Sequence, residues 1–142
     1  MSNKIGIWID SSKAIIVKLN NSIENVIELN SNIETAVHPE NELDNDIFKA
    51  KKNIAKEKKI EERRKHQTTL FLKNVIETTK NSGEIYVFGP GLLKTQLRDV
   101  FLKDTLLAAR LKAVEKADSM TLEQIIAQVK LFFTEDSKSK SL

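Results

Sequence analysis

The sequence predicts an α/β protein: a single five-stranded mixed sheet with helices packed on it, in the element order βββ-α-β-α-β-α. Three observations lead there. Ile5, Ile7 and Ile9 alternate with Gly6, Trp8 and Asp10, the period of a strand. Two more Ile- and Val-rich runs follow, each after only a short turn. The segment Glu84 to Leu97, EIYVFGPGLLKTQL, then passes from an apolar run through Gly89-Pro90-Gly91 straight into an amphipathic helical pattern.

The elements are read in order. After the first strand, Asp10-Ser11-Ser12-Lys13 supplies turn chemistry, because Asx and Ser side chains bond their own backbone. Ala14 to Leu19 is the second strand, Asn20-Asn21 turns the chain again, and Ile23 to Ile33 is the third, completing an antiparallel meander. His38 to Asp46, with a proline and several carboxylates, reads as a loop. Lys49 to Lys65 has helix formers but only Ile54, Ala55 and Ile60 as apolar anchors, so it reads as a projecting helix or a segment ordered on binding.

From about Thr68 a packed helix is expected, with Phe71, Leu72, Val75, Ile76 and Thr79 on one face and Gly83 as a left-handed cap. The helix after the GPG turn carries the stripe Leu93, Leu97, Val100 and Phe101. A short strand over Arg110 to Val114 comes next, with a continuing helix over Thr105 to Lys116 as its alternative. Asp118-Ser119 is expected to cap the last helix, whose Thr121 and Gln124 stand at capping-box spacing. Its apolar face is Leu122, Ile125, Ile126, Val129, Phe132 and Phe133.

At 142 residues the chain fits one domain over residues 1–135, with a disordered Ser/Lys tail over 136–142. The absence of cysteine excludes disulfides, thiolate zinc sites and cysteine nucleophiles. The N-terminal apolar run is too short for a signal peptide, and no stretch approaches the roughly 20 apolar residues that span a bilayer. The expected setting is cytoplasmic, with no membrane partner.

Charge is unevenly placed. Leu19 to Phe48 holds seven acidic residues and no Lys or Arg, whereas Lys49 to Lys65 holds nine basic residues against Glu57, Glu61 and Glu62. The basic block is a candidate footprint for phosphates. Its alternative is a solvated helix laced by i,i+4 pairs among Glu57, Glu61, Lys56, Lys58 and Lys65.

A meander followed by right-handed crossovers brings the carboxyl ends of strands one, three, four and five to one sheet edge, where open α/β sheets bind ligands. Asp10, Glu34, the Gly89–Gly91 turn and Glu115 to Asp118 would meet there. Gly89 and Gly91 offer backbone N–H groups to an anion, against a reading in which the turn serves packing alone; the P-loop spacing is absent. Asp10, Glu34, Glu115 and Asp118 are the candidate catalytic carboxylates of a metal-dependent nuclease, since ribonuclease H-like folds share this strand order. Asp10 and Asp118 also suit local roles in a turn and a helix cap. No cofactor or resident metal is implied. His38 and His66 read as lone surface histidines, although His66 sits among Arg64, Lys65 and Gln67, as RNA contacts do. Trp8 is expected to cover the opposite sheet face under a helix.

The order of elements, with VFGPGLLKTQL (Val87 to Leu97), the first hairpin from Ile7-Trp8-Ile9-Asp10 to Lys18, and KAVEKADSMTLEQI (Lys112 to Ile125), resembles the middle domain of archaeal and eukaryotic class-1 peptide release factors and of Pelota. In size the chain is similar to small bacterial proteins built from this domain alone, often described as translational-machinery-like. In release factors the loop before the first helix carries Gly-Gly-Gln. The corresponding segment here, Glu34 to Gln67, contains no glycine, and Gln67 is its sole glutamine. Peptidyl-tRNA hydrolysis is therefore not carried over, while Pelota works on ribosomes without that motif.

The expected function is non-catalytic and translation-associated. It is binding of the ribosome, through ribosomal RNA or tRNA, by Lys52, Lys56, Lys59, Arg63, Arg64, Lys65, His66 and Gln67, with Lys94 beside the GPG turn. The alternatives are the nuclease above and a protein-interaction or homodimerisation module built on the polar arm.

Overall fold

The computed structural model describes residues 3–21, 23–34 and 47–140, with side chains described for 56–134 of the last segment. Five strands form one sheet in the order β3-β2-β1-β4-β5. They are β1 (Lys4–Ile9), β2 (Lys13–Asn20), β3 (Ile23–Asn30), β4 (Glu84–Gly89) and β5 (Leu111–Lys116). The first three pair antiparallel, and β4 and β5 join parallel to β1, so the mixed sheet expected from the meander and crossovers is borne out. The helices are α1 (Ile47–Thr78), α2 (Leu93–Leu102), α3 (Thr105–Arg110) and α4 (Leu122–Lys140).

Strand alternation sorts the core into two layers. Ile5, Ile7, Ile9, Ala14, Ile16, Ile85 and Val87 face α1 and α2, meeting Phe71, Leu72, Val75, Leu97 and Phe101. Trp8, Ile15, Val17, Tyr86 and Phe88 face α4, meeting Ile125, Val129 and Phe133. Trp8 thus lies where its place in the strand implied. Two glycines make these layers close. A Cβ on Gly6 would stand 2.2 Å from a Val129 methyl, so α4 crosses β1 where β1 has no side chain. A Cβ on Gly89, whose φ is +150°, would meet the Ile9 carbonyl oxygen at 2.2 Å. The first glycine of the GPG turn therefore lets β4 end tight against β1.

Several element ends differ from expectation. Gly83 is not left-handed; α1 ends with the Ser82 hydroxyl donating to the Thr79 carbonyl, and the Gly83 N–H donates to the carbonyl of Asn3. The cap of α4 is Thr121 rather than Asp118-Ser119: the Thr121 hydroxyl accepts from the Gln124 N–H at 3.2 Å while Gln124 Oε1 accepts from the Thr121 N–H at 2.9 Å. A short α3 precedes β5 because Asp104 accepts from the N–H groups of Leu106 and Leu107, and β5 starts at Leu111 and runs on to Lys116. The backbone of α4 continues to Lys140. It contains no Gly or Pro to stop the helix, and its lysines suit a C-terminal end. The expected loop, with His38, lies outside the described residues. Among the described residues, no helix is long and apolar enough to cross a membrane.

Candidate nucleic-acid interface

The basic block and the packed helix are one continuous element of 32 residues. None of residues 56–70 of α1 is buried, whereas Phe71, Leu72 and Val75 are. The packed C-terminal turns therefore anchor a stretch, residues 56–70, that meets solvent. A helix repeats every 3.6 residues, so residues at i, i+4, i+7, i+11 and i+14 share a face. Lys52, Lys56, Lys59, Arg63 and His66 have that spacing. From Lys56 to His66 the row spans about 15 Å at ~1.5 Å per residue, and Lys52, whose side chain lies outside the described set, holds the next place by backbone register.

The acids are distributed differently. Glu57 and Glu61 stand in register with Arg64, Thr68, Phe71 and Val75, on the side that becomes the packed stripe. Glu62 borders the cationic row, lining a shallow hollow of about 400 Å³ with Lys59, Arg63 and His66. Among the described residues no ion pair joins two residues of α1. The alternative of a helix laced by i,i+4 pairs is thus not realised there.

The other expected contacts fall elsewhere. Lys65 is exposed but lies on a different face from the row. Arg64 is half-buried, with its Nε buried and unpartnered. Gln67 Oε1 accepts the backbone N–H of Glu34 at 2.8 Å, and Arg63 lies 3.3 Å from the Glu34 carboxylate. These contacts latch the exit of β3 onto α1. Lys94 folds back so that its ammonium donates to the Gly91 carbonyl. Gly91 has left-handed φ and open space around it, while the Gly89 carbonyl accepts the Ala117 N–H at 3.1 Å.

The carboxyl ends of β1, β3, β4 and β5 do share one sheet edge, but the four carboxylates do not converge. Asp10 Oδ1 accepts the N–H groups of Ser12 and Lys13 at 2.8 and 2.9 Å, closing the β1–β2 turn. Glu34 faces Arg63. Glu115 and Asp118 are exposed at an open cleft of about 620 Å³ between β5 and α4, which Tyr86, Gln124 and Gln128 also line. Among the described residues no three His, Asp or Glu side chains could hold a metal ion.

Tyr86 is a core residue, not a base-stacking platform. Its ring stacks on Phe132 at 4.0 Å and on Phe88 at 4.7 Å, and its hydroxyl accepts from Gln128 Nε2 at 3.2 Å. Burial, reinforced by the neighbouring Glu115 carboxylate, pushes its phenol well above the ordinary tyrosine range.

The heptad-like register of the cationic row was available in the sequence. The Glu34 latch was not, because its partners are 29 and 33 residues apart.

No protein-family model and no curated protein matches the chain. Among solved structures, the chain is similar to Pelota of Archaeoglobus fulgidus, with a TM-score of 0.54 and 14% identity over 91% of this chain. It spans 31% of that Pelota chain. An archaeal translation termination factor, aRF1, superposes with a TM-score of 0.48 and 14% identity, over 98% of this chain and 41% of its own. At this identity the likeness to Pelota is one of fold.

Proposed function

We propose that the chain is a translation-associated protein that contacts ribosomal RNA or tRNA through the cationic row Lys52, Lys56, Lys59, Arg63 and His66 of α1. The observation that carries this reading is the segregation of charge. Basic residues line one solvent-exposed face, two of the three acids of the block stand on another, and no ion pair within the helix neutralises the row among the described residues. A row of cations attracts phosphates by releasing their condensed counterions, and the one described pairing of a row residue, Arg63 with Glu34, is exposed and made from outside the helix. The Pelota-like fold supports a setting in translation.

The same row argues against a dimer joined through that face, since two copies would bring like charges together. The nuclease reading needs converging carboxylates, and Asp10 is already committed to its turn. Lys65 and Arg64 contribute to the field of the arm rather than to the row, and Lys94 is occupied by its own turn.

Binding of fluorescein-labelled tRNA, followed by anisotropy between about 50 and 200 mM salt, tests the proposal. Affinity is expected to fall steeply with salt, with a log–log slope of about −3 to −4 for four neutralised phosphates. Absence of binding at the lowest salt, or affinity flat across the range, would overturn it.

A further inference from the structure

The two edges of the sheet differ. β5 carries the features that blunt an edge: a bulge in its pairing with β4, and Lys112 and Lys116 in a short strand. β3 carries none of them. Its eight residues pair with β2 in unbroken register, and none is Pro, Lys or Arg. Ile23 and Val26 are 64% and 39% exposed. Among the described residues no strand lies on the outer side of β3, and the chain beyond it turns onto α1 at Glu34.

Register fixes which backbone groups β3 leaves over. The Ser31 N–H donates to the Ser12 carbonyl at 2.8 Å, continuing the pairing of Asn30 with Lys13. Antiparallel pairs alternate between hydrogen-bonded and unbonded, so the odd-numbered residues of β3 bond β2. Glu24, Val26, Glu28 and Asn30 then point their N–H and carbonyl groups outward. Groups left over at alternate residues are what an added antiparallel strand satisfies. The two acids of this edge do not stand alone. Glu24 lies 2.8 Å from Lys130, and Glu28 lies 3.9 Å from Lys13.

The strand that fits this edge is β3 itself. With a twofold axis at Ile27, the outward groups of Glu24 and Val26 meet those of Asn30 and Glu28 of a second copy, forming about eight backbone hydrogen bonds. Ile27 stands opposite its own counterpart, and no glutamate faces a glutamate. An axis at Val26 would set Glu24 against Glu28 twice, which is unfavourable. Axes further from the middle of the strand pair fewer of its residues.

From this complementarity we infer that two copies of the chain join edge to edge through β3, antiparallel about Ile27, into one continuous sheet. One strand from each copy is a small interface, of the class that forms and separates with concentration. The inference does not depend on the RNA-binding role of α1.

Sedimentation equilibrium of the whole chain between about 1 μM and 1 mM tests it. A monomer is expected at the low end and a dimer at the high end. Amide exchange at Val26 and Glu28 should slow as the dimer forms. Val26→Pro removes an outward N–H but no bond to β2, and should weaken the dimer at least about tenfold. Circular dichroism establishes that this variant is folded, and the other measurements stand whether or not it is. The chain has no cysteine, so an introduced one reports the axis. The two copies of Ile27 form an unbonded pair with Cα atoms about 4.5 Å apart, within disulfide range. On oxidation Ile27→Cys should cross-link faster than Val26→Cys or Asn25→Cys.

A monomer throughout the range would overturn the dimer. Amides at Val26 and Glu28 that exchange slowly in the monomer would overturn it too, since the edge would then be covered within one copy. A dimer that a folded Val26→Pro leaves intact, or whose formation leaves those amides fast, would overturn the role of β3. Cross-linking that is not fastest at Ile27 would overturn the axis.

Discussion

The Gln67 side chain accepts the backbone N–H of Glu34 at 2.8 Å, joining the chain just beyond β3 to the middle of α1. Arg63, one turn earlier, faces the carboxylate of the same residue at 3.3 Å. The Arg63 contact is exposed and contributes little. The Gln67 bond is part-buried, and without it the Glu34 amide has no described partner. Gln67→Leu should cost about 1–2 kcal/mol and speed amide exchange at Glu34. Unchanged exchange at Glu34 would show that the latch does not hold in solution.

A second relationship concerns the packing of α4. Val129 fills the space above Gly6, and a methyl placed there would overlap its side chain. Gly6→Ala should destabilise the fold by about 1–3 kcal/mol through overpacking. Val129→Ala opens a cavity by itself, but it also removes the clashing methyls. The double variant should therefore be more stable than the sum of the two single losses by about 1 kcal/mol or more. Strict additivity in urea denaturation would place α4 elsewhere on the sheet.

The pH dependence of the α4 side follows from Tyr86. Its phenol is raised in the folded chain, so between the unfolded value of about 10 and the higher folded value the native state binds more protons than the unfolded state. The stability this contributes is full below about pH 10 and is lost as pH rises beyond it. Absorbance at 295 nm, reporting the only tyrosine, should stay silent until alkali unfolds the chain. A reversible titration near pH 10 with the fold intact would mean that the ring is not buried against Phe132.

Asp10 offers a direct choice between a turn and a catalytic role. Asparagine keeps an oxygen that can accept from Ser12 and Lys13, whereas alanine does not. Asp10→Asn should be close to neutral in stability and Asp10→Ala should cost about 1–2 kcal/mol. RNA cleavage dependent on Mg²⁺ or Mn²⁺ that vanishes in Asp10→Asn would instead support the nuclease.

The legible parts of the fold were those with strong local periodicity. Alternation in β1, β2 and β4 assigned Ile7 and Trp8 to opposite layers, and the order of turns and crossovers placed the parallel strands beside β1. The capping box of Thr121 and Gln124 was also readable, though it capped the helix three residues later than Asp118. Gly83 misled because a glycine after a helix usually takes the left-handed cap, and here Ser82 and the Asn3 carbonyl satisfied the end instead. In the candidate site, the concentration of charge in α1 was plain from composition. Which cations share a face followed from the helical period, but that the block and the packed helix form one uninterrupted element did not. The failure of Asp10, Glu34, Glu115 and Asp118 to converge is a matter of three-dimensional spacing, which a shared sheet edge does not determine.

Co-sedimentation of the whole chain with ribosomes tests whether the row of α1 engages them. The intact chain and the control with Lys58→Glu and Lys65→Glu should pellet with ribosomes at low salt and be released as salt rises. The variant with Lys56→Glu and Lys59→Glu should remain in the supernatant while keeping its fold. Pelleting by the row variant equal to that of the intact chain, or absence of the intact chain from the pellet, would contradict the account.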